Sequence, residues 1–203
     1  MQLKAIFVAA TMAFAVAAWS SQTDTPLPPH WQLESSGGTS YAGKLDMKTA
    51  LSAQGAPSLQ YLDGDISEGW GDLHQTISAR NYAGKRVRFS AMLKTEDVLG
   101  WGGLWLRADN HQGKTVVFDN MYTRGLKNSN DWQRWDVVLD IPADAESLHF
   151  GLLLAGKGRI WMDQLVFEVV DRHTPQTLCC GKPLVQHKPD GTLQTLAPDE
   201  PTL

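Results

Sequence analysis

The chain has 203 residues, a formal net charge of -4, 42% hydrophobic and 20% charged residues. It is long enough for one well-filled core, and its ordinary composition excludes a disordered or fibrous chain. With 22 acidic against 18 basic side chains there is no basic footprint for nucleic acid. Eight tryptophans against four tyrosines and six phenylalanines is the unusual feature, because Trp fills large cores and stacks on flat ligands.

The start, "MQLKAIFVAATMAFAVAAWSSQ", carries Lys4 and then apolar or small residues from Ala5 to Trp19. That run is short for a membrane span, which needs roughly 20 apolar residues, and small residues follow where a signal peptidase would cut. Residues 1–20 are therefore expected to be a signal peptide. The protein is then periplasmic or secreted, with no stable membrane span after cleavage. Residues 21–30, "SQTDTPLPPH", are polar with three prolines and read as a linker.

From Trp31 to Val170 the pattern is strands and turns. "KRVRFSAML" alternates with Val87, Phe89, Ala91 and Leu93 on one face; "RWDVVLDI" does so with Trp135, Val137, Leu139 and Ile141. "SLHFGLLLAG" sets Leu148, Phe150, Leu152 and Leu154 in register. Period-two alternation is the mark of strands with one buried face. "WQLES", "GKLDMK", "SLQYL", "GDLHQTIS", "WGGLWLRA", "TVVFDN" and "RIWMDQLVFEVV" supply further strands. Turns are predicted at Asp63-Gly64, Tyr82–Gly84, Asn110–Gly113, Asn128–Asp131 and Gly156–Gly158. Nine or ten short strands without a sustained helical period predict an all-β fold, an antiparallel β-sandwich of the jelly-roll type.

Residues 171–203 hold five of the ten prolines and no aromatic residue, which predicts a Pro-rich, loosely ordered tail. It contains both cysteines, Cys179 and Cys180. Neighbouring residues rarely close a disulfide, so the pair reads as incidental, with a soft-metal site or an intermolecular bridge as alternatives.

The segment Trp70–Val170, with "GKRVR", "GLWLR", "FDNM", "DWQ" and "VVLD" in that order, resembles an uncharacterised bacterial domain. That domain occurs behind signal peptides and also attached to AraC-type and other regulators. The order of elements is also similar to galactose-binding-like jelly rolls, which include many carbohydrate-binding modules. Gly84-Lys85, Phe89-Ser90, Lys94, Trp132 and Trp161-x-Asp163-Gln164 carry that wider likeness. It implies the fold more than a sugar ligand, and names no enzyme activity. After "FDNM" the chain departs from the pattern with Tyr122-Thr123-Arg124-Gly125-Leu126. No helix-turn-helix segment is present, so the regulator connection is not carried over. In such jelly rolls a carboxylate on the last strand sometimes helps to hold calcium with residues near the first. Asp163 and Glu34 are the matching positions, but calcium takes six to eight oxygens, so no metal site is expected.

Trp101, Trp105, Arg107 and Asp109 share parity in "WGGLWLRAD", while Leu104 and Leu106 alternate to the other side. That face either presents a sugar-stacking platform with polar groups for hydroxyls, or is packed beneath a loop with Arg107 paired to a carboxylate such as Asp119. Asp119, in "FDNM", is a candidate for binding diols and equally one for opening the next turn. The six histidines form no HExxH or His-x-His pair, and no Gly-x-Ser-x-Gly, Walker or Rossmann pattern occurs. His149 alternates away from the apolar side, as a surface or satisfied histidine would. The expectation is an exported, non-catalytic ligand-binding module without cofactor, with carbohydrate as the expected ligand class. A glycan or small molecule is the expected ligand through Trp101, Trp105, Arg107, Asp109 and Asp119. The alternatives are a cell-envelope protein-interaction module and, behind it, a hydrolase.

Overall fold

The computed structural model describes residues 26–36, 38–65, 69–177 and 201. Nine strands follow in order: β1 (Gln32–Ser35), β2 (Ser40–Asp46), β3 (Ala56–Asp63), β4 (Trp70–Ser78), β5 (Arg86–Asn110), β6 (Thr115–Asp119), β7 (Leu126–Asp140), β8 (Ala145–Ala155) and β9 (Arg159–Val170). No helix occurs among the described residues, and none is long and apolar enough to cross a membrane.

All pairings are antiparallel and follow the path β1-β4-β8-β5-β9-β3-β2, with β6 and β7 also on β5. Two layers emerge because β5 changes neighbours along its length. Its first half, Arg86–Glu96, lies between β7 and β9. Its second half, Trp101–Asn110, lies beside β8 and carries β6. Asp97, at φ 51°, and a series of register shifts between Leu93 and Gly102 make the bend. Bulges of this kind turn a strand from one sheet of a sandwich into the other.

The two layers meet through the alternating apolar residues. Val87, Phe89, Ala91 and Leu93 are fully buried, as are Leu104, Leu106, Leu148, Phe150, Leu152 and Leu154. Phe89 of β5 packs edge-on against Phe150 of β8 at 5.1 Å, and Phe167 of β9 lies 4.7 Å from Phe150. Burial of these side chains, about 1.5–3 kcal/mol each, is what holds the layers together.

Two expectations are corrected. The predicted strands 85–93 and 101–108 are one strand, because the polar stretch between them stays paired to β7 through Thr95, Val98 and Gly102. The predicted turn at Asn128–Asp131 is a bulge inside β7. Asn128 takes φ 59° there and Asn130 donates its side-chain amide to Thr95, so β7 can follow the bend of its partner. Asp163 and Glu34 lie in different layers, on β9 and β1. The Asp163 carboxylate instead accepts the backbone N–H groups of Leu51 and Ser52 at 2.6 and 2.9 Å.

Residues 172–177 lie along β7. Arg86 donates to the carbonyls of Arg172 and Thr174, and Thr177 exchanges hydrogen bonds with the backbone of Val138. Cys179 and Cys180 lie outside the described residues.

Candidate functional site

The side of the β1-β4-β8-β5 layer that faces away from the core holds most of the candidate residues. Cross-strand partners share a face, so the registers define rows across it. Trp70, Ala155 and Trp101 form the first row; Asp72, Leu153 and Gly103, flanked by Glu34 of β1, form the second. His74, Gly151 and Trp105 form the third; Thr76, His149, Arg107 and Phe118 the fourth; Ser78, Ser147 and Asp109 the fifth. Leu73, Ile77, Leu104 and Leu106 alternate into the core, so the parity predicted for Trp101, Trp105, Arg107 and Asp109 holds.

Exposure separates the two tryptophans. Trp101 is half-buried, with Tyr122 edge-on at 5.7 Å. A Cβ at Gly125 would lie 2.8 Å from its ring, so the 120–125 loop rests on it. Trp105 is only 5% exposed. Its ring meets His74 at 5.5 Å and Phe118 at 6.4 Å, and Arg107 sits 5.9 Å over its face. It is a packed residue rather than an open stacking platform. His74 and Trp105 reach each other from strands two apart because Gly151, between them, has no side chain. A Cβ there would stand 2.1 Å from the Leu73 carbonyl oxygen.

Arg107 and Asp109 are paired to each other, Nη2 to Oδ2 at 3.0 Å. Thr115 donates to Asp109 at 2.9 Å, and His149 Nε2 lies 3.2 Å from it. Burial alone would raise the Asp109 pKa, but the hydrogen bonds from His149 and Thr115 and the Arg107 charge hold it below the usual carboxylate range. Burial pushes His149 below the ordinary imidazole range, with Arg107 adding to this and Asp109 opposing it. A neutral ring with its proton on Nε2, facing Asp109, accepts from Thr76 at Nδ1 over 2.9 Å. His74 Nδ1 bonds the Asp72 carboxylate. Burial raises the Asp72 pKa against that bond, and the Glu34 charge adds to the rise. Trp105 Nε1 and Arg107 Nε are buried donors with no protein acceptor.

Asp119 does not join this group. It pairs in register with Leu106 and so points to the core side of β6, and is 1% exposed. Arg124 grips it at 3.0 and 2.7 Å, Thr177 donates at 2.7 Å, and the Met121 N–H at 2.9 Å. The carboxylate opens the turn after β6 and ties the 120–125 loop to residue 177. Arg107 is not its partner.

Trp70, Asp72, His74 and Thr76 were missed as site residues, although "WGDLHQTIS" alternates them against Leu73 and Ile77. That signal was legible. What sequence lacks is the order β4-β8-β5, which places them opposite Trp101 and Trp105.

No protein-family model matches the chain. Over 113 residues, 56% of its length, it is 38% identical to the uncharacterized HTH-type transcriptional regulator YbfP of Bacillus subtilis (strain 168), and this match spans 38% of that regulator. The CBM22-1 xylan-binding domain from Paenibacillus barcinonensis Xyn10C is similar in structure, with a TM-score of 0.51 at 14% identity over 72% of this chain and 90% of that one. The enzymatically active domain of bacteriophage CBA120 tailspike protein 4 gives 0.52 at 14% identity, over 70% of this chain and 20% of that one. One of the promiscuous carbohydrate-binding modules of the β-sandwich superfamily gives 0.50 at 10% identity, over 72% and 61%. At such identities the likeness is one of fold: an antiparallel β-sandwich of the kind found in carbohydrate-binding modules.

Proposed function

We propose that this chain is an exported, non-catalytic β-sandwich that binds a carbohydrate on the outer face of its β1-β4-β8-β5 layer. The observation that carries the reading is the first row of that face. Two half-buried tryptophans, Trp70 and Trp101, flank the small Ala155. They stand roughly 10 Å apart, two strand spacings. Indole rings take up the apolar face of a sugar, while neighbouring carboxylates and amides bond its hydroxyls. Glu34, half-buried in the next row, is such a group. The fold shared with a xylan-binding domain supports the reading, as does a relative in which a similar stretch is part of a regulator, a setting that suits ligand sensing.

The non-catalytic part rests on the state of the acids: Asp109 and Asp119 are held in ion pairs, and Asp72 by His74. Export rests on the apolar run at residues 5–19.

The test is a tryptophan-fluorescence titration against xylo-, cello-, manno-, galacto- and chito-oligosaccharides. One series is expected to bind, with Trp70→Ala and Trp101→Ala each weakening it about tenfold, about 1.4 kcal/mol per ring, without loss of the fold. Silence from all five series refutes the carbohydrate reading. The protein-interaction alternative is favoured by Leu99 and Tyr122, 72% and 65% exposed near Trp101. It predicts that Leu99→Ser and Tyr122→Ser abolish a pull-down partner while leaving every sugar titration unchanged.

A further inference from the structure

We infer that Thr177, which follows the last strand, is a positioning residue of the ligand site: with Asp119 and Arg124 it fixes the loop that sets the Trp101 ring. This rests on the carbohydrate reading above. Across the first row the neighbour of Trp101 is the small Ala155, and the contacts on its indole come from the 120–125 loop. Tyr122 stands edge-on to the ring at 5.7 Å and 86°, and a Cβ at Gly125 would lie 2.8 Å from it. The placement of the ring therefore follows the placement of the loop.

The loop needs outside bonds to keep its shape. Met121 takes φ 63°, a region that L side chains rarely adopt. Its N–H donates to Asp119 at 2.9 Å, its carbonyl accepts the Arg124 N–H at 2.8 Å, and its sulfur accepts the Leu104 N–H at 3.2 Å. Asp119 is the centre of this arrangement. Arg124 bonds both of its oxygens, at 3.0 and 2.7 Å, and the Thr177 hydroxyl donates to it at 2.7 Å. Arg124 Nη1 also donates to the Thr177 carbonyl at 3.1 Å, so the three residues close a circuit between β6, the loop and the segment after β9. Thr177 is itself fixed to β7: its N–H donates to the Val138 carbonyl at 3.0 Å, and its hydroxyl accepts the Val138 N–H at 2.8 Å. β7 pairs with β5 as far as Gly102, the residue after Trp101. Thr177 thus ties the loop to the same framework that carries the ring. A ring held in place beforehand loses less freedom when a sugar stacks on it, so affinity depends on these bonds.

The experiment labels the full-length protein with fluorotryptophan and follows Trp101 and Trp31 by fluorine NMR, each resonance assigned by its loss in Trp101→Phe or Trp31→Phe. Thr177→Val removes the hydroxyl, keeps the volume and is expected to shift or broaden the Trp101 resonance; Thr177→Ala takes its place if the valine variant does not fold. Trp31, beside β1 at the end of the sheet path, is expected to stay unmoved. Thr177→Ser keeps a hydroxyl and is expected to restore the Trp101 resonance. Gln176→Ala cuts the bonds of the same segment to Asp140 without touching Asp119 and is expected to move neither. An unmoved Trp101 resonance in folded Thr177→Val, or an equal shift in Gln176→Ala, overturns the inference whether or not any sugar binds. In the oligosaccharide series that binds, Thr177→Val is expected to weaken affinity about threefold or more, and Thr177→Ser to stay within about twofold of wild type. A moved resonance with unchanged affinity overturns the positioning role while carbohydrate binding stands. Silence from all five series sinks the carbohydrate reading, and the role of Thr177 in binding with it, even where the resonance moves.

Discussion

Truncating Trp105 to alanine separates a packed ring from a stacking ring. The indole is 5% exposed and lies against His74, Phe118 and Arg107. Removing a buried aromatic side chain costs about 3–5 kcal/mol, transfer and cavity together. The two ring contacts fall within that range, since each adds only about 0.5–1.5 kcal/mol beyond area burial. Arg107 keeps its Asp109 partner, so no charge is stranded to raise the figure. Against a total stability of about 5–15 kcal/mol, this is a large share, and at about 2–4 °C per kcal/mol it lowers the melting temperature by roughly 6–20 °C. Trp101, half-buried and resting on the 120–125 loop, is expected to cost about 1–2 kcal/mol on truncation. Urea unfolding followed by far-UV circular dichroism, with matched slopes, reads both values without depending on the fluorophore removed. A cost below about 1 kcal/mol for Trp105→Ala, together with loss of glycan binding, would show that Trp105 is an open contact residue and the packing argument mistaken.

The Asp119–Arg124 pair predicts an asymmetry between its partners. The Asp119 side chain has no exposure and that of Arg124 is 25% exposed. Arg124→Ala leaves a buried carboxylate short of its counter-charge and is expected to cost about 3–5 kcal/mol, more than Asp119→Asn, whose arginine can turn to water. Equal losses in urea unfolding would count against the burial argument. Asp46 predicts an acid limb. Burial would raise its pKa, but hydrogen bonds from the Thr49 and Lys48 backbone, Trp161 Nε1 and the Thr49 hydroxyl hold it at about 2. A carboxylate depressed in the folded state stabilises above its unfolded value, about 3.9, and that stability disappears as pH falls from about 4 through 2. The stability of wild type and Asp46→Asn, followed by unfolding from neutral pH downward, is expected to converge in that window. Parallel curves would remove Asp46 from the acid response.

How much of this was legible in the sequence depends on which interactions decide each feature. Alternation in "KRVRFSAML" and "SLHFGLLLAG" is a local signal with a core consequence, so Val87, Phe89, Leu148 and Phe150 could be assigned to the interior before any fold was known. The same signal set Trp101, Trp105, Arg107 and Asp109 on one face. Exposure on that face is not local. Trp105 is buried by His74, thirty-one positions away in the chain, and that meeting depends on Gly151 of an intervening strand. Of the two roles open to Asp119 from sequence, opening the next turn is the one found, and its facing was likewise not local. Its place on β6 is set by register against Leu106, across a turn whose length alone does not settle which side chain faces which way. Residues 94–97, Lys-Thr-Glu-Asp, carry no apolar alternation, yet the strand continues through them because its backbone pairs with β7 and β9. Composition reports side chains; it does not report where a backbone finds its partner.

The bend in β5 links these misreadings to the site. A single strand that serves both layers must turn between Leu93 and Gly102, and Trp101 follows directly on that turn, at the edge of its second layer. Next to it stand Leu99, exposed, and Gly100, where a Cβ would meet the Ala155 carbonyl oxygen at 1.9 Å. β5 and β8 approach closely at Gly100 and Ala155, beside the first row of the face. The first row of the face thus sits at the corner that makes the sandwich. Substitutions at Gly100 are expected to disturb the sandwich and the site together, whereas Ala155, whose side chain faces outward from the same contact, is where the site can be altered alone.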